Sequence, residues 1–88
     1  MDFEWDEAKS EWNREHRGFG FEVVYAFDWE ASKTRISSRG DELRFYTIGM
    51  HEGVPFTIIW TPRSSGTRII SVRRAHRKEA KKYGYDQT

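Results

Sequence analysis

The chain opens with apolar and acidic residues in alternation, so Phe3-Glu4-Trp5 reads as a short first strand. Asp6 then suits a helix N-cap, and Glu7 places a negative charge in the first turn, where the helix dipole favours it. Trp5, Ala8 and Trp12 recur at helical spacing, which predicts a narrow apolar stripe, and Gly18 and Gly20 end this helix. The segment from Phe21 to Asp28 predicts a second short helix with Phe21, Val24 and Tyr25 on one face, although it is also rich in β-formers.

From Lys33 onward the period changes to two. Leu43, Phe45 and Thr47 face one way, and Arg44, Tyr46 and Ile48 the other. A loop at His51-Glu52-Gly53 leads into Val54, Phe56, Ile58 and Trp60, which alternate with Thr57, Ile59 and Thr61. Pro55 cannot donate to a ladder and belongs at a strand start or edge. Arg63-Ser64-Ser65-Gly66 is a hairpin loop, Thr67 to Arg73 the next strand, and Lys33 to Ile36 an earlier one. Strict alternation in the last strand puts Arg68, Ile70 and Val72 on one face and Ile69, Ser71 and Arg73 on the other. Ala75 to Tyr83 closes as a helix with His76, Ala80 and Tyr83 on one side. The expected order is β-α-α-β-β-β-β-α: an α+β fold in which helices cover one face of an antiparallel meander.

Length and composition narrow this picture. The 88 residues make one domain, 1–88, with a thin core, since only 36% are hydrophobic. Four Trp, four Tyr and six Phe compensate, because each buries a large area. The absence of cysteine excludes disulfides and thiolate metal sites and fits a reducing cytosol. The start lacks the basic and apolar segments of a signal peptide, and apolar runs such as Val23 to Phe27 are far shorter than a membrane span. These features lead us to expect a soluble cytoplasmic protein with no membrane partner.

The net charge of +1 conceals an asymmetry: residues 1–15 carry six acids against two bases, and residues 68–83 seven bases against one acid. Such polarity steers one end towards phosphates or an acidic partner, or leaves two solvated ends; charge alone favours neither. His16-Arg17 ends the first helix, where cations also serve simply to complement the dipole. Arg44, Arg68 and Arg73 lie in strands, where an open sheet face lets a guanidinium clamp a phosphate; the alternative is an edge arginine paired with Asp41 or Glu42. Arg73, Arg77 and Lys81 repeat every four residues, as do Arg74, Lys78 and Lys82, giving the last helix a broad basic side for phosphates, an acidic partner or solvent. His16, His51 and His76 lie too far apart to signal a metal site, and no nucleotide-binding loop is present. Glu42, beside Arg44, is the one carboxylate placed for general-base work; its alternative role is a surface ion pair.

Phe3-Glu4-Trp5-Asp6 with Lys9 and Asn13, then Gly18 with Phe21-Glu22, resemble the opening of the BrnT-type toxins, and the likeness covers nearly the whole chain. Glu42 and Arg44 flank one residue as they do there, and Thr61 and Arg63 match its threonine–arginine pair. The most specific part is Arg68-Ile69-Ile70-Ser71, Arg73-Arg74-Ala75, and Arg77 with Glu79 and Tyr83. The resemblance implies a RelE-like fold and a cofactor-free, metal-independent endoribonuclease in which the 2′-hydroxyl attacks the adjacent phosphorus. It further implies a cognate antitoxin, a small BrnA-like DNA-binding protein, with operator DNA bound through the complex. On this reading Arg44, Arg68 and Arg73 clamp phosphate, and His16 and Glu42 transfer protons. Lys9, Arg17, Arg63 and Arg74 support RNA binding, and Arg77, Lys78, Lys81 and Lys82 hold its backbone. The chain departs from the family at two points. His16-Arg17 stands where many members have lysine–histidine, and Gly40-Asp41 where they have tyrosine–glycine. These departures keep open a catalytically weak or inactive binding module that engages an acidic antitoxin or nucleic acid.

Overall fold

The structure, a computed structural model, describes residues 2–85; Met1 and residues 86–88 of the expected domain lie outside them. Strand β1 (Phe3–Glu4) leads into helix α1 (Glu7–Arg17) and a 3-10 helix (Phe21–Tyr25). Four strands follow, β2 (Lys33–Arg39), β3 (Glu42–His51), β4 (Val54–Arg63) and β5 (Gly66–Arg74), and helix α2 (Arg77–Lys82) closes the fold. This is the α+β element order the sequence predicts. Strands β2 to β5 form the antiparallel meander, and the sheet order is β1-β5-β4-β3-β2. The sheet is mixed, because β1 joins β5 in parallel through Phe3↔Thr67 and Glu4↔Arg68.

Local chemistry explains the boundaries. The Asp6 side chain accepts from the N–H groups of Ala8 and Lys9, which caps α1 as expected. Gly18 ends α1 in the left-handed region at φ 89°, a conformation that glycine adopts without a Cβ penalty. The predicted apolar stripe of α1 is not its buried face. Ser10 and Asn13 are the buried residues, and Trp12 is 52% exposed. The reason is hydrogen bonding: the Ser10 hydroxyl takes the Phe21 N–H at 2.9 Å, and the Asn13 amide donates to the Phe19 and Val72 carbonyls at 3.0 and 3.1 Å. The second predicted helix is a single 3-10 segment; Phe21, Val23, Val24 and the following Phe27 are buried, while Tyr25 is exposed.

The core lies on one sheet face, where Phe21, Val24 and Phe27 meet Phe56, Ile58, Ile69 and Val72. Gly49 belongs to this face because a Cβ there would come within 2.6 Å of the Phe27 ring. At the β2 end of the face, Trp60 Nε1 donates to Thr47 Oγ1 at 2.9 Å, and Thr47 shares a 2.8 Å hydrogen bond with Thr34.

Two sequence expectations change at β5 and α2. The register runs Trp60↔Ile69 and Ile59↔Ser71, so Ile70 is an extra residue in a bulge. Alternation therefore restarts within β5: Ile69 and Val72 both enter the core, and Arg68 and Arg73 share the opposite face. The helices also flank both faces rather than one. Helix α2 lies on the face opposite the 3-10 helix, because its Glu79 accepts from Thr57 Oγ1 at 2.7 Å and from Arg73 Nη1 at 2.8 Å. Thr57 and Arg73 are a register pair on that face.

Candidate functional site

Parallel β1 pairs only with Thr67 and Arg68, so the rest of β5 has a free edge. Helix α1 runs along it. Besides Asn13, Arg17 donates to the Val72 carbonyl, at 3.2 Å, which satisfies that edge oxygen and fixes the guanidinium. Two adjoining cavities follow from this packing. One, about 160 Å³, is lined by Lys9, Trp12, Asn13, Arg17, Ile70 and Ser71 among others. The other, about 460 Å³, is lined by Arg17, Phe19, Arg73, Arg74 and His76. Arg17 belongs to both, so Lys9, Arg17, Arg73 and Arg74 form one basic track between the ends of α1 and β5.

Arg73 is anchored within this track. Its guanidinium meets the Glu79 carboxylate through Nη1–Oε1 at 2.8 Å and Nη2–Oε2 at 3.2 Å. Glu79 also accepts the His76 backbone N–H at 3.0 Å. Burial alone would raise the Glu79 pKa, but the bonds from Arg73, Thr57 and His76 outweigh it and hold the carboxyl at about 2. At neutral pH Glu79 is therefore an anion fully engaged by partners, and Arg73 keeps its remaining N–H groups in a fixed orientation.

The other predicted residues lie elsewhere. Arg44 and Arg68 occupy one row of the α2-side face: Arg68 pairs with Thr61, and Arg44 precedes Phe45, the partner of Trp60. Five positions along β5 separate Arg68 from Arg73, roughly 16 Å at strand spacing, and the Arg73 guanidinium is turned to Glu79. Glu42 lies 3.5 Å from Arg44 Nε, a surface pair that engages the carboxylate proposed as a base. Arg63 lines a separate cavity with Asp41, Glu42 and Leu43 at the distal hairpins. On α2, Lys78 and Lys82 line a cavity of about 310 Å³ with Arg35, Glu79 and Tyr83, while Arg77 and Lys81 are exposed.

His16 stands apart from the sheet arginines. Its ring stacks on Trp12 at 4.2 Å, and its Nδ1 lies 2.9 Å from the Trp12 carbonyl. It lines neither cavity of the β5 edge. Among the described residues, no group of three His, Asp or Glu side chains is gathered as a metal site. None of the described helices is long and apolar enough to cross a membrane.

Sequence reasoning missed four contributors. The spacing puts Trp12 in a narrow apolar stripe; in the structure it is an exposed ring with the Arg17 guanidinium 5.7 Å from its centroid. His76 was assigned to a helix face but precedes α2 and lines the larger cavity. Arg35 covers the Tyr46 ring at 4.1 Å on the α2-side face, which puts a tyrosine among the basic residues despite Gly40-Asp41. A run of basic residues flanking a histidine is the available signal for His76; Arg35 and Tyr46 depend on strand pairing, and Trp12 on the hydrogen bonds that bury the other face of α1.

Comparison with known proteins bears on this arrangement. Residues 5–79 match the family model described as the ribonuclease toxin, BrnT, of type II toxin–antitoxin systems. No match was found among curated proteins or among solved structures. The matched segment contains α1, every strand from β2 to β5 and the start of α2, and on this match the chain belongs to the BrnT family of ribonuclease toxins.

Proposed function

We propose that this protein is a single-domain, RelE-like toxin that cleaves RNA without a metal in the cytoplasm. A BrnA-like DNA-binding antitoxin neutralises it, and the complex binds operator DNA. The observation that carries the reading is the gathering of Arg17, Arg73 and Arg74 around one cavity at the β5 edge. Guanidiniums suit this chemistry: they bind phosphate bidentately and oppose charge that develops on its oxygens during in-line attack by the 2′-hydroxyl. Lys9 and exposed Trp12 extend the track, one by charge and one as a surface on which a base can stack. Arg35 with Lys78 and Lys82 of α2 offers a second basic area that grips more of the strand, and Arg44 and Arg68 lie on the same sheet face.

A non-catalytic module is the competing reading, favoured by the position of His16 on Trp12 rather than among the sheet arginines. A defined single-stranded RNA, incubated with the purified chain in EDTA beside its all-2′-deoxy counterpart, separates the two. Cleavage of the RNA alone, with 2′,3′-cyclic phosphate ends, is the expected result. Intact RNA at every protein concentration contradicts it and leaves binding as the function.

A further inference from the structure

We propose that His76 is the proton-transfer group of the cleavage site, and that the cavity it lines with Arg17, Arg73 and Arg74 takes the scissile phosphate of a single RNA strand. The inference rests on the ribonuclease reading and supplies the group that reading leaves unassigned. At about 460 Å³ the cavity falls within the size range of small-ligand sites. Arg17 reaches it from the end of α1, and Arg73 and Arg74 from the end of β5.

Of the lining side chains Arg17, Phe19, Arg73, Arg74 and His76, only the imidazole carries a ring nitrogen that can accept a proton. Glu79 is the nearby carboxylate, and Arg73, Thr57 and the His76 backbone already occupy its oxygens. Glu79 thus anchors two groups at once, since it holds the backbone of His76 and the guanidinium of Arg73. The charged side chains that line the cavity with His76 are Arg17 from α1 and Arg73 and Arg74 from β5, while Glu79 from α2 meets the His76 backbone N–H. His16, by contrast, is stacked on Trp12 and hydrogen bonded within its own helix.

In the step this geometry supports, a neutral His76 nitrogen takes the 2′-hydroxyl proton as the 2′ oxygen bonds to phosphorus. The arginines oppose the charge on the pentacoordinate phosphorane. The P–O5′ bond breaks with its electron pair on O5′, which takes a proton from water. The imidazolium then returns its proton to the resulting hydroxide. The products are a 2′,3′-cyclic phosphate and a 5′-hydroxyl, with no net proton consumed.

The test compares single-turnover cleavage by the wild-type chain, His76→Gln, His76→Ala and His16→Gln in EDTA, with thermal melts confirming that each is folded. A 2′-deoxy oligonucleotide reports affinity separately. His76→Gln is expected to lose about 10²–10⁴-fold in rate, the range for a removed acid–base group, while its affinity for the oligonucleotide persists. Added imidazole is expected to restore part of the His76→Ala rate. Cleavage near the wild-type rate by folded His76→Gln overturns the assignment while the ribonuclease reading stands. So does a loss confined to His16→Gln. Absence of cleavage by the wild-type chain overturns that reading and the assignment together.

Discussion

Arg73 and Glu79 face each other across β5 and α2 in a two-pronged ion pair whose side chains are only 17% and 12% exposed. This pair ties the last helix to the sheet and sets the orientation of an arginine in the candidate site. Its chemistry gives a pH signature. The folded-state pKa of Glu79, about 2, lies below its ordinary value of 4.5. The sign follows: the stabilisation is present above about pH 4.5 and is lost as pH falls towards 2. A shift of that size corresponds to about 3 kcal/mol. Thermal melts from pH 6 to pH 2 should show the loss, and Glu79→Gln should flatten that acid limb while lowering stability at neutral pH. An acid limb unchanged in Glu79→Gln contradicts the assignment.

Asn13 is the second fastening. Its amide joins α1 to the Phe19 and Val72 carbonyls, and Arg17 shares the latter. Asn13→Ala leaves the Phe19 carbonyl without this donor and removes one of the two at Val72, a loss of about 1–3 kcal/mol for buried polar groups. Urea denaturation measures this directly. Because the same contact holds α1 against β5, the variant should also weaken RNA binding more than its distance from phosphate suggests.

Gly49 has no room for a side chain: an added Cβ would lie 2.6 Å from the Phe27 ring, 3.1 Å from Ser32 Cβ and 3.2 Å from the Asp28 carbonyl. Overpacking of this kind costs about 1–3 kcal/mol, so Gly49→Ala should melt earlier without a change in the charge of the site. A melting temperature equal to that of the wild type would show that the loop after the 3-10 helix shifts freely.

The element order and the amphipathic strands were legible because period-two alternation from Leu43 to Thr61 is nearly unbroken. Asp6 and Gly18 were likewise readable from capping chemistry. The bulge at Ile70 was not, since no glycine or proline marks it, and without it Arg68 and Arg73 fall on opposite faces. The face of α1 was misread for a different reason: Ser10 and Asn13 are buried by hydrogen bonds to the chain that follows and to β5, which hydrophobic periodicity cannot register. Arg17, Arg73 and Arg74 were named from sequence as basic residues; that they line one cavity with His76 follows only from the tertiary packing of α1 on the β5 edge.

Salt dependence tests the basic track. Each phosphate contact on single-stranded RNA contributes about 0.7 to the slope of log affinity against log salt. Arg17→Ala and Arg74→Ala should each reduce the slope by about that amount, measured with a non-cleavable 2′-deoxy strand. A slope unchanged in both variants would remove these residues from the RNA surface.

The most direct test of the central claim, that the chemistry lies at the β5 edge, compares two double variants in the same cleavage assay. One is Arg17→Ala with Arg74→Ala at the edge; the other is Arg44→Ala with Arg68→Ala on the open face. The edge pair should cost about 10²–10³-fold in cleavage rate at saturating protein, and the open-face pair less than about tenfold, with its loss mainly in affinity. The reverse ranking, with both variants folded, would place the reacting phosphate on the open sheet face and contradict the account.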